Sequence, residues 1–408
     1  MNIFVRWEFG MLGGIRMRKS LTYKITVIEL MIAIGLLSFF RPPIFEKYSI
    51  TNLLFNLMLV ASFTYVSLFS FASIKIQKNR GKFTFLSIAF YTIMCYSTIW
   101  NGASLTRMLM YVGIGILTVL FVNHIARYEL DFTCAFVRKM FLIFLIINIL
   151  SMVFFTGGIT TTGRSMAPVW FLGQSTRFAY FYVPCVLLCF IEDVKVYGKI
   201  QKRTIIPYCI CVITLIIKWA VGATLAMLLF IPFFFFNRIK KIFNNIVYFV
   251  IQVVGFFGLT FFSVQEYFAV LIENYLHKDM TLSSRTLIWR YAIEAIESSP
   301  WWGCGIFDNT AMQNMLGFVH CHNHLLQVML TTGYIGFVIF LLMICVVYLL
   351  LAREKDFFPA KVIAFAVFVM GIMLLVDTID GVRNYYLFVL AFGANIGAIR
   401  RTMEGYKA

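Results

Sequence analysis

Residues 325–351 read LLQVMLTTGYIGFVIFLLMICVVYLLL, a run of apolar and uncharged polar residues without one charged side chain. A helix that crosses the hydrocarbon core of a bilayer needs about 20 predominantly apolar residues. The run is therefore long enough to span a membrane. Similar runs recur along the chain, and together they indicate a helical membrane protein.

The composition of the 408-residue chain leads to the same class. Hydrophobic residues make up 61% of it and charged residues 13%, against about 25% charged residues in ordinary soluble domains. No single soluble core could bury so much apolar surface, and a disordered chain needs low hydrophobicity. An outer-membrane barrel would show short alternating segments instead of long runs. The sequence thus predicts an all-α polytopic membrane protein.

The apolar runs predict about twelve transmembrane helices, so that residues 1–408 form one transmembrane domain. The predicted spans are residues 23–40, 50–72, 83–100, 107–125, 140–157, 177–192, 204–218, 220–236, 245–263, 325–351, 360–377 and 384–399. The seventh and eighth spans are short and nearly continuous across residues 218–222. No small-residue cleavage site follows the first span, so we interpret it as an uncleaved anchor.

Basic residues divide the loops into two sets. Most of the 35 Lys and Arg residues fall in the N-terminal segment and in alternate loops, and the positive-inside rule assigns these to the cytoplasm together with both termini. The net charge of +17 then reflects topology, and nucleic acid is not a predicted partner. The other basic residues fall on the predicted outer side, against the rule, and are Arg41, Lys47, Arg107, Arg164, Arg177, Lys218, Lys278, Arg285, Arg290 and Arg383.

Two long segments are predicted on the outer side, residues 156–176 and residues 264–324. The second lies between helices 9 and 10 and is the large extracytoplasmic loop of the domain. It carries Cys304 and Cys321, which could pair in an oxidising space, although sequence alone does not determine disulfide geometry. Most of the other cysteines lie in apolar runs, where Cys behaves as a small hydrophobe.

Three of the five histidines lie within His320-Cys321-His322-Asn323-His324, where the large loop meets the tenth span. Histidine changes its protonation near neutral pH and is the default catalytic base. Two alternatives stay open at this point. Such residues can simply hydrogen-bond the backbone near the interface, and a Cys beside two His supplies zinc-ligand types. No further ligand lies at a usual zinc spacing, so we predict no metal site.

Arginines on the same predicted side are the second indication of chemistry. Arg164 lies in the first long outer segment, Arg177 begins the sixth span, and Arg285 and Arg290 belong to an amphipathic stretch. A guanidinium group is always charged and binds phosphate in a bidentate manner. One arginine alone could contact lipid headgroups, but several near a His cluster indicate a phosphate-bearing ligand.

The last outer loop carries two acidic residues, Asp377 and Asp380, ahead of Arg383. They could form a structural ion pair or support the site. We favour support of the site.

Residues 283–340 contain four short motifs in order. They are Ser-Ser-Arg-Thr-Leu-Ile-Trp-Arg from residue 283, Ser-Pro-Trp-Trp-Gly-Cys-Gly from residue 299, His-Cys-His-Asn-His-Leu-Leu-Gln from residue 320 and Thr-Gly-Tyr-Ile-Gly-Phe from residue 332. This pattern resembles the signature of the O-antigen ligase and polymerase superfamily. A long outer loop late in a chain of many spans fits the same family, less specifically.

The resemblance implies a GT-C-type membrane glycosyltransferase that needs no metal and no other cofactor. It would act on undecaprenyl-diphosphate-linked donor and acceptor glycans at the outer face of the bacterial inner (plasma) membrane. By position, Arg164 and Arg285 would hold the diphosphate, and His322 would be the base that activates the acceptor hydroxyl. Arg177 is a substitute candidate for the diphosphate, because Gly173-Gln174-Ser175 replaces the Asn region of the family and Lys218-Trp219-Ala220 replaces its Ser-Arg pair. The secondary candidates are His320, Asn323, Arg290, Asp377 and Arg383.

Three functions are compatible with these features. The first is a repeat-unit polymerase for capsule or O-antigen, which we favour because such enzymes are more numerous and occur without an outer membrane. The second is a ligase that moves a finished chain to a terminal acceptor such as lipid A core. The third is a transporter or flippase, which tends to show inverted repeats and broken helices at mid-membrane. The predicted partners are the lipid-linked glycans, membrane lipid and a chain-length regulator.

Overall fold

A computed structural model of the chain describes residues 3–5, 23–72, 81–162, 166–231, 244–262, 264, 285–379 and 383–405. These residues form helices α1 to α15, which are Val27–Phe39, Ser49–Ala72, Gly81–Trp100, Leu105–Tyr128, Leu130–Phe154, Phe178–Tyr197, Lys202–Ile217, Val221–Leu228, Asn245–Phe261, Arg285–Ser298, Asn309–Leu316, His324–Arg353, Phe358–Met373, Tyr385–Ala394 and Ile396–Met403. Short 3-10 helices cover Pro43–Lys47 and Ser175–Arg177. Two short antiparallel pairs complete the set, β1 (Ile3–Val5) with β2 (Tyr23–Ile25) and β3 (Thr160–Thr161) with β4 (Pro168–Val169).

Five of the described helices are long and apolar enough to cross a membrane. They are α2 to α5 and α12, and α12 is the most apolar with a mean hydropathy of 3.1. Their outer faces expose large apolar side chains, among them Leu57, Leu109 and Ile146. A soluble protein rarely exposes contiguous surfaces of this kind. The chain is therefore an all-α polytopic membrane protein, and the number of twelve spans stays a prediction.

The first predicted span begins later than expected. Residues 23–25 form strand β2, and α1 begins at Val27 because Thr26 and Glu29 form a capping box. The Glu29 carboxylate accepts hydrogen bonds from the backbone N–H and the hydroxyl of Thr26, at 2.7 and 2.8 Å. This acid near the start of an apolar run therefore caps a helix.

The fifth span was predicted to begin at residue 140, which was wrong by ten residues. Helix α5 begins at Leu130, so Arg138 lies inside a helix and is buried. Its charge is accommodated because Arg138 pairs with Glu192 and Asp193 on α6. A charged side chain inside an apolar helix becomes acceptable when a neighbouring helix supplies the opposite charge.

The seventh and eighth predicted spans are separate helices. Helix α7 ends at Ile217, Trp219 adopts a φ of +50°, and α8 begins at Val221. The hydroxyl of Tyr208 donates a hydrogen bond to the carbonyl of Met227, which places the two helices antiparallel. The chain therefore reverses its direction at residues 218–220.

The connections that the sequence assigns to the outer side meet at one end of the bundle, which we call the cavity end. The bonds that join them there are Arg383 to the Arg41 carbonyl, Asn101 to the Gly303 carbonyl, Arg107 to the Phe307 carbonyl, Lys218 to the Thr156 carbonyl, Asn323 to the Thr260 hydroxyl and the His324 N–H to the Leu374 carbonyl. At the opposite end, Arg127 bonds Asn395 and Arg400 pairs with Glu354. Connections that the charge pattern assigns to opposite sides thus lie at opposite ends of the bundle.

Helix α12 is broken at Gly333, which adopts φ +64° and ψ −168°. The N–H groups of Tyr334 and Ile335 leave the helix and bond the carbonyls of Pro300 and Trp301 at 2.8 and 3.3 Å. In return, the N–H groups of residues 304 and 305 bond the carbonyls of residues 330 and 331 at 2.7 and 3.1 Å. The segment 300–305 therefore completes the helix that the break interrupts.

Glycine is required where these two backbones touch. A Cβ at Gly333 would lie 2.4 Å from the backbone of Trp301, and a Cβ at Gly303 would lie 2.4 Å from the backbone N of Gly333. Both glycines also have positive φ values, which L residues with side chains rarely adopt. Two glycine motifs that are thirty residues apart in sequence are therefore one packed unit.

We expect Gly333→Ala to destabilise the protein strongly, because the new methyl group meets backbone that cannot move aside. A positive φ with ψ near 180° is essentially restricted to glycine and costs an alanine about 1–3 kcal/mol, and the steric clash adds to it. Thermal unfolding in detergent measures the effect. Gly113→Ala on α4 is the matched control, since nothing lies within 4 Å of its new Cβ. Equal melting temperatures for both variants would contradict the interlocked arrangement.

Candidate functional site

The His cluster is held in a turn at the start of α12. Asn323 caps this helix, because its side-chain oxygen accepts a hydrogen bond from the N–H of Leu326 at 3.1 Å. Its side-chain NH2 group also donates a hydrogen bond to the hydroxyl of Thr260 at 3.1 Å. The indole N–H of Trp289, a buried residue of α10, donates to the carbonyl of Cys321 at 3.0 Å. His322 lies between these anchors with a φ of +49°. The turn that presents His322 is therefore fixed on both sides.

Four side chains from three parts of the chain converge at this turn. The rings of His320 and His322 are 4.1 Å apart between centroids. Nη2 of Arg177, from the start of α6, lies 3.5 Å from Nε2 of His320. Oδ1 of Asp377, from the loop after α13, lies 3.9 Å from Nδ1 of His322. We call His320, His322, Arg177 and Asp377, with Arg285, the His cluster.

Arg285 and Tyr180 complete the surroundings of the cluster. Arg285 is the first residue of α10, and its charge acts on both His322 and Asp377. Burial lowers the pKa of the Arg285 guanidinium and Asp377 raises it. The phenol of Tyr180, on the first turn of α6, interacts with the Asp377 carboxylate. Two arginines and one carboxylate therefore surround the imidazole of His322.

His322 is held in its neutral form by this environment. Burial, followed by the neighbouring His320 and Arg285, lowers the pKa of His322 to about 3, although Asp377 acts in the opposite direction. Its Nδ1 has no hydrogen-bond partner among the described residues. A neutral imidazole with an unoccupied nitrogen is able to accept a proton.

A cavity of about 760 Å³ lies at the cavity end beside the His cluster. Arg177 belongs to both, and Tyr180 lines the cavity and interacts with Asp377 of the cluster, so the two sites adjoin. The wall also contains residues from the connection between α1 and α2, from α2, α4 and the 156–176 segment, and from the last loop. Its polar lining residues are Arg41, Glu46, Lys47, Asn52, Asn56, Arg107, Tyr111, Thr160, Thr161, Thr162, Gln174, Arg177, Tyr180, Thr378, Arg383 and Tyr385.

The other residues predicted from sequence are placed apart from the cluster. Arg290 is on the exposed face of α10, with its guanidinium 5.7 Å from the ring centre of Tyr291. Arg383 lines the cavity and pairs with Glu46 rather than with Asp377. Arg164 and Asp380 lie outside the residues that the structure describes.

Asn323 has a structural role in the turn, as a helix cap. Cys304 and Cys321 are buried, and no disulfide joins them, so the pairing that we considered is not formed. Cys304 instead lies 3.4 Å from the carbonyl of Ala295.

Sequence reasoning missed Tyr180 and Trp289 as parts of the site. Tyr180 lies in an aromatic stretch of α6 that looks like ordinary span sequence. Trp289 belongs to the motif at residue 283, but its link to the His turn is visible only in three dimensions. The cavity arginines were indicated by the charge pattern, since Arg41, Arg107 and Arg383 stand out as cations on the wrong side.

The segment that carries His322 and Arg285 matches a known family. Residues 207–341 match the sequence model of the O-antigen ligase family. This segment belongs to the O-antigen ligase and polymerase superfamily. The O-antigen ligase match extends from α7 to α12 and therefore includes Arg285, His322 and the interlocked glycines, whereas Arg177, Asp377 and most of the cavity wall lie outside it. Neither a curated protein nor a solved structure matches the chain.

We expect His322 to stay neutral at pH 5 in the ligand-free protein. Because its pKa is lowered to about 3, protonation begins well below the usual range near 6.5. Carbon-13 NMR of histidine-labelled protein measures this titration, and the His322→Asn spectrum assigns the signal. Arg285→Gln should raise the pKa of His322, because it removes one of the cations that oppose protonation. A His322 signal that titrates near pH 6.5 would rule out this environment.

Proposed function

We propose that the protein is a membrane glycosyltransferase that polymerises undecaprenyl-diphosphate-linked repeat units into capsule or O-antigen polysaccharide. The observation that carries this proposal is a neutral His322 close to two arginines, beside a large polar cavity whose wall includes one of them, Arg177. Membership of the segment 207–341 in the O-antigen ligase family supports transfer from a lipid-linked glycan. The polymerase activity itself is our proposal.

In the proposed reaction the acceptor sugar hydroxyl loses its proton to His322 while its oxygen attacks C1 of the donor's first sugar. The bond between C1 and the diphosphate oxygen breaks, and the lipid diphosphate leaves with the electron pair. Sugar hydroxyl groups are weak acids, so a base within hydrogen-bond reach lowers the barrier. His322 then releases the proton to solvent.

Arg177 and Arg285 would bind the diphosphate of the donor. Guanidinium groups that are already in place stabilise the charge of the leaving group without reorganisation during the reaction. We propose that Arg164 also binds the diphosphate, because it occupies the position of a diphosphate-binding arginine in the family pattern. Since the side chains of His322 and Asp377 are only 28% and 17% exposed, these charges act more strongly than they would at a fully exposed surface.

Binding of the donor would also make His322 a stronger base. The cations at Arg177 and Arg285 oppose protonation of His322 in the ligand-free protein. A bound diphosphate offsets those cations, and a nearby anion favours a protonated imidazole. The pKa of His322 would then rise towards neutrality, where a general base is most effective. Asp377, 3.9 Å from Nδ1, would stabilise the imidazolium that forms.

We place the cavity end at the outer face of the bacterial inner membrane, with both termini in the cytoplasm. The charge pattern supports this orientation, because basic residues are concentrated in the loops of the opposite end. Exposed Trp100, Trp219 and Trp301 surround the cavity end, as expected at a membrane–water interface. The His cluster would then lie near the outer surface, where lipid-linked glycans are accessible.

Transport is less well supported by the structure. Broken helices are typical of transporters, where the interrupted backbone lines a substrate pathway. In α12 the interrupted N–H and carbonyl groups are instead bonded to residues 300–305. The break therefore joins two segments of the protein.

We expect His322→Asn to lower the transfer rate by about 100-fold to 10,000-fold, the usual contribution of a general base. Asparagine tolerates the left-handed backbone at this position better than most residues, so the turn should survive. The rate of product formation from lipid-linked repeat units measures the effect. Near wild-type turnover by His322→Asn would exclude His322 as the base.

Arg285→Lys should also be poor, because an ammonium group cannot reproduce a bidentate guanidinium contact with phosphate. We expect the effect in both KM for the donor and kcat. Arg290→Lys is the matched control, since Arg290 is on the same helix but faces away from the cluster. If Arg285→Lys and Arg290→Lys behave alike, Arg285 has a structural role only.

The products distinguish polymerase from ligase. Purified protein with lipid-linked repeat units alone should give a ladder of chain lengths on a gel, unaffected by a chelator. A single-step product that needs an added lipid A core acceptor would identify a ligase. Reversible loss of activity with the chelator would contradict metal-independent transfer.

A further inference from the structure

The cavity carries more positive charge than the proposed chemistry uses. Apart from Arg177, its wall contains Arg41, Lys47, Arg107 and Arg383, all of them predicted on the outer side against the usual charge rule. Among the described lining residues, Glu46 is the single carboxylate. The excess of cations requires an explanation that is separate from the His cluster.

Glu46 is shared between two arginines. Its Oε1 pairs with Nη2 of Arg41 at 3.3 Å and also with Nη2 of Arg383. Arg41 is 2% exposed, and the amide oxygens of Asn52 and Asn56 hold its guanidinium at 2.8 Å each. Burial and the charge of Arg383 lower the pKa of Arg41. One carboxylate thus holds two guanidinium groups in place without neutralising both.

Arg107 and Lys47 are held by backbone carbonyls. Nη1 of Arg107 donates to the carbonyl of Phe307 at 3.1 Å, and Nζ of Lys47 donates to the carbonyl of Thr161 at 3.1 Å. Neither forms an ion pair with another described residue. A carbonyl fixes the position of a cation but leaves its full charge, so these two groups keep their positive charge for a ligand.

Such a wall is unfavourable when it holds no anion, because neighbouring like charges repel one another. A cleft with charges of one sign also concentrates oppositely charged ligands. Hydroxyl, amide and aromatic groups are sufficient to bind a neutral sugar. Guanidinium groups in fixed positions instead match a carboxylate or a phosphate.

We propose that this cavity is an acceptor subsite in which Arg107, Lys47 and Arg383 bind an anionic group of the acceptor glycan. The inference rests on the proposed transferase function and specifies its acceptor. Arg177, which is 3.5 Å from His320, and Tyr180, which interacts with Asp377, both line the cavity, so a sugar bound here would lie beside the His cluster. The volume of about 760 Å³ is in the range of typical ligand pockets.

The anion has two chemical sources. It is a carboxylate or phosphate on a sugar of the repeat unit, or it is the acceptor's own lipid diphosphate. The shared chemistry is a fixed anion on the acceptor side, and two soluble probes distinguish the sources. Trigalacturonate represents an acidic sugar chain, with maltotriose as its neutral counterpart, and methyl diphosphate represents the lipid diphosphate.

Binding of the probes is measured by calorimetry on full-length protein in nanodiscs of neutral lipid. The test variant is Lys47→Gln combined with Arg107→Gln, and Arg383 is left intact because it holds Glu46 and the carbonyl of Arg41. Lys139→Gln is the control, since it removes a positive charge from an exposed position at the opposite end. Melting temperatures check that all variants are folded.

If the anion is an acidic sugar, trigalacturonate binds the wild type more tightly than maltotriose does. The double variant then loses about tenfold or more in affinity, as expected for lost charge-assisted hydrogen bonds, and Lys139→Gln does not. If the anion is the lipid diphosphate, methyl diphosphate still binds in an Arg285→Gln background, and the double variant abolishes that binding. Unchanged affinity of the double variant for both probes overturns the proposal.

The result is independent of the test for transfer. If the protein binds an anion through Lys47 and Arg107 but makes no glycan product, the anion subsite is supported and the proposed transferase function is contradicted. If the double variant makes a ladder of products with the wild-type KM for the acceptor, the transferase function is supported and the anion subsite is contradicted.

Discussion

The backbone of a membrane-spanning helix has to satisfy its hydrogen bonds within the protein, since lipid supplies no partners. Most of the structure around the site follows from how this requirement is met at Gly333. The break there frees two N–H groups and two carbonyls of α12, and the segment 300–305 bonds all four. A loop that follows α10 is thereby attached to the span that follows the His turn.

This attachment positions the chemical groups. Helix α10 begins with Arg285 and carries Trp289, whose indole holds the carbonyl of Cys321. The end of α10 is fixed against α12 through residues 300–305, and the start of α12 is fixed by its cap, Asn323. His322 therefore lies between two rigid attachments. A base that must meet a sugar hydroxyl within hydrogen-bond distance benefits from such preorganisation.

Charge distribution links the site to the topology. Basic residues in the loops of one end are explained by the positive-inside rule. Basic residues at the other end oppose this rule. Five of them line one cavity. The anionic ligand that we propose would explain this exception to the topology rule. Of the five, Arg177 also helps to lower the pKa of His322, after burial, His320 and Arg285.

The sequence by itself determined the class of protein, the approximate positions of the helices and the family of the segment 207–341. Apolar run length, basic loop residues and short motifs are local properties, so they can be seen without the fold. The predicted ends of the helices were less accurate. Helix α5 begins at Leu130 and includes Arg138, whose charge is paired with Glu192 and Asp193 on α6. A local sequence pattern does not show this pairing.

Only the tertiary structure decided which residues meet. Asp377 reaches the His turn from the loop after α13 and Arg177 from the start of α6. Tyr180 lies between the cluster and the cavity, and Gly303 packs against Gly333. Arg290, five residues after Arg285 and equally plausible in sequence, faces away because a helix turns by about 100° per residue. Contacts between distant segments depend on how the helices pack, and packing is a property of the whole chain.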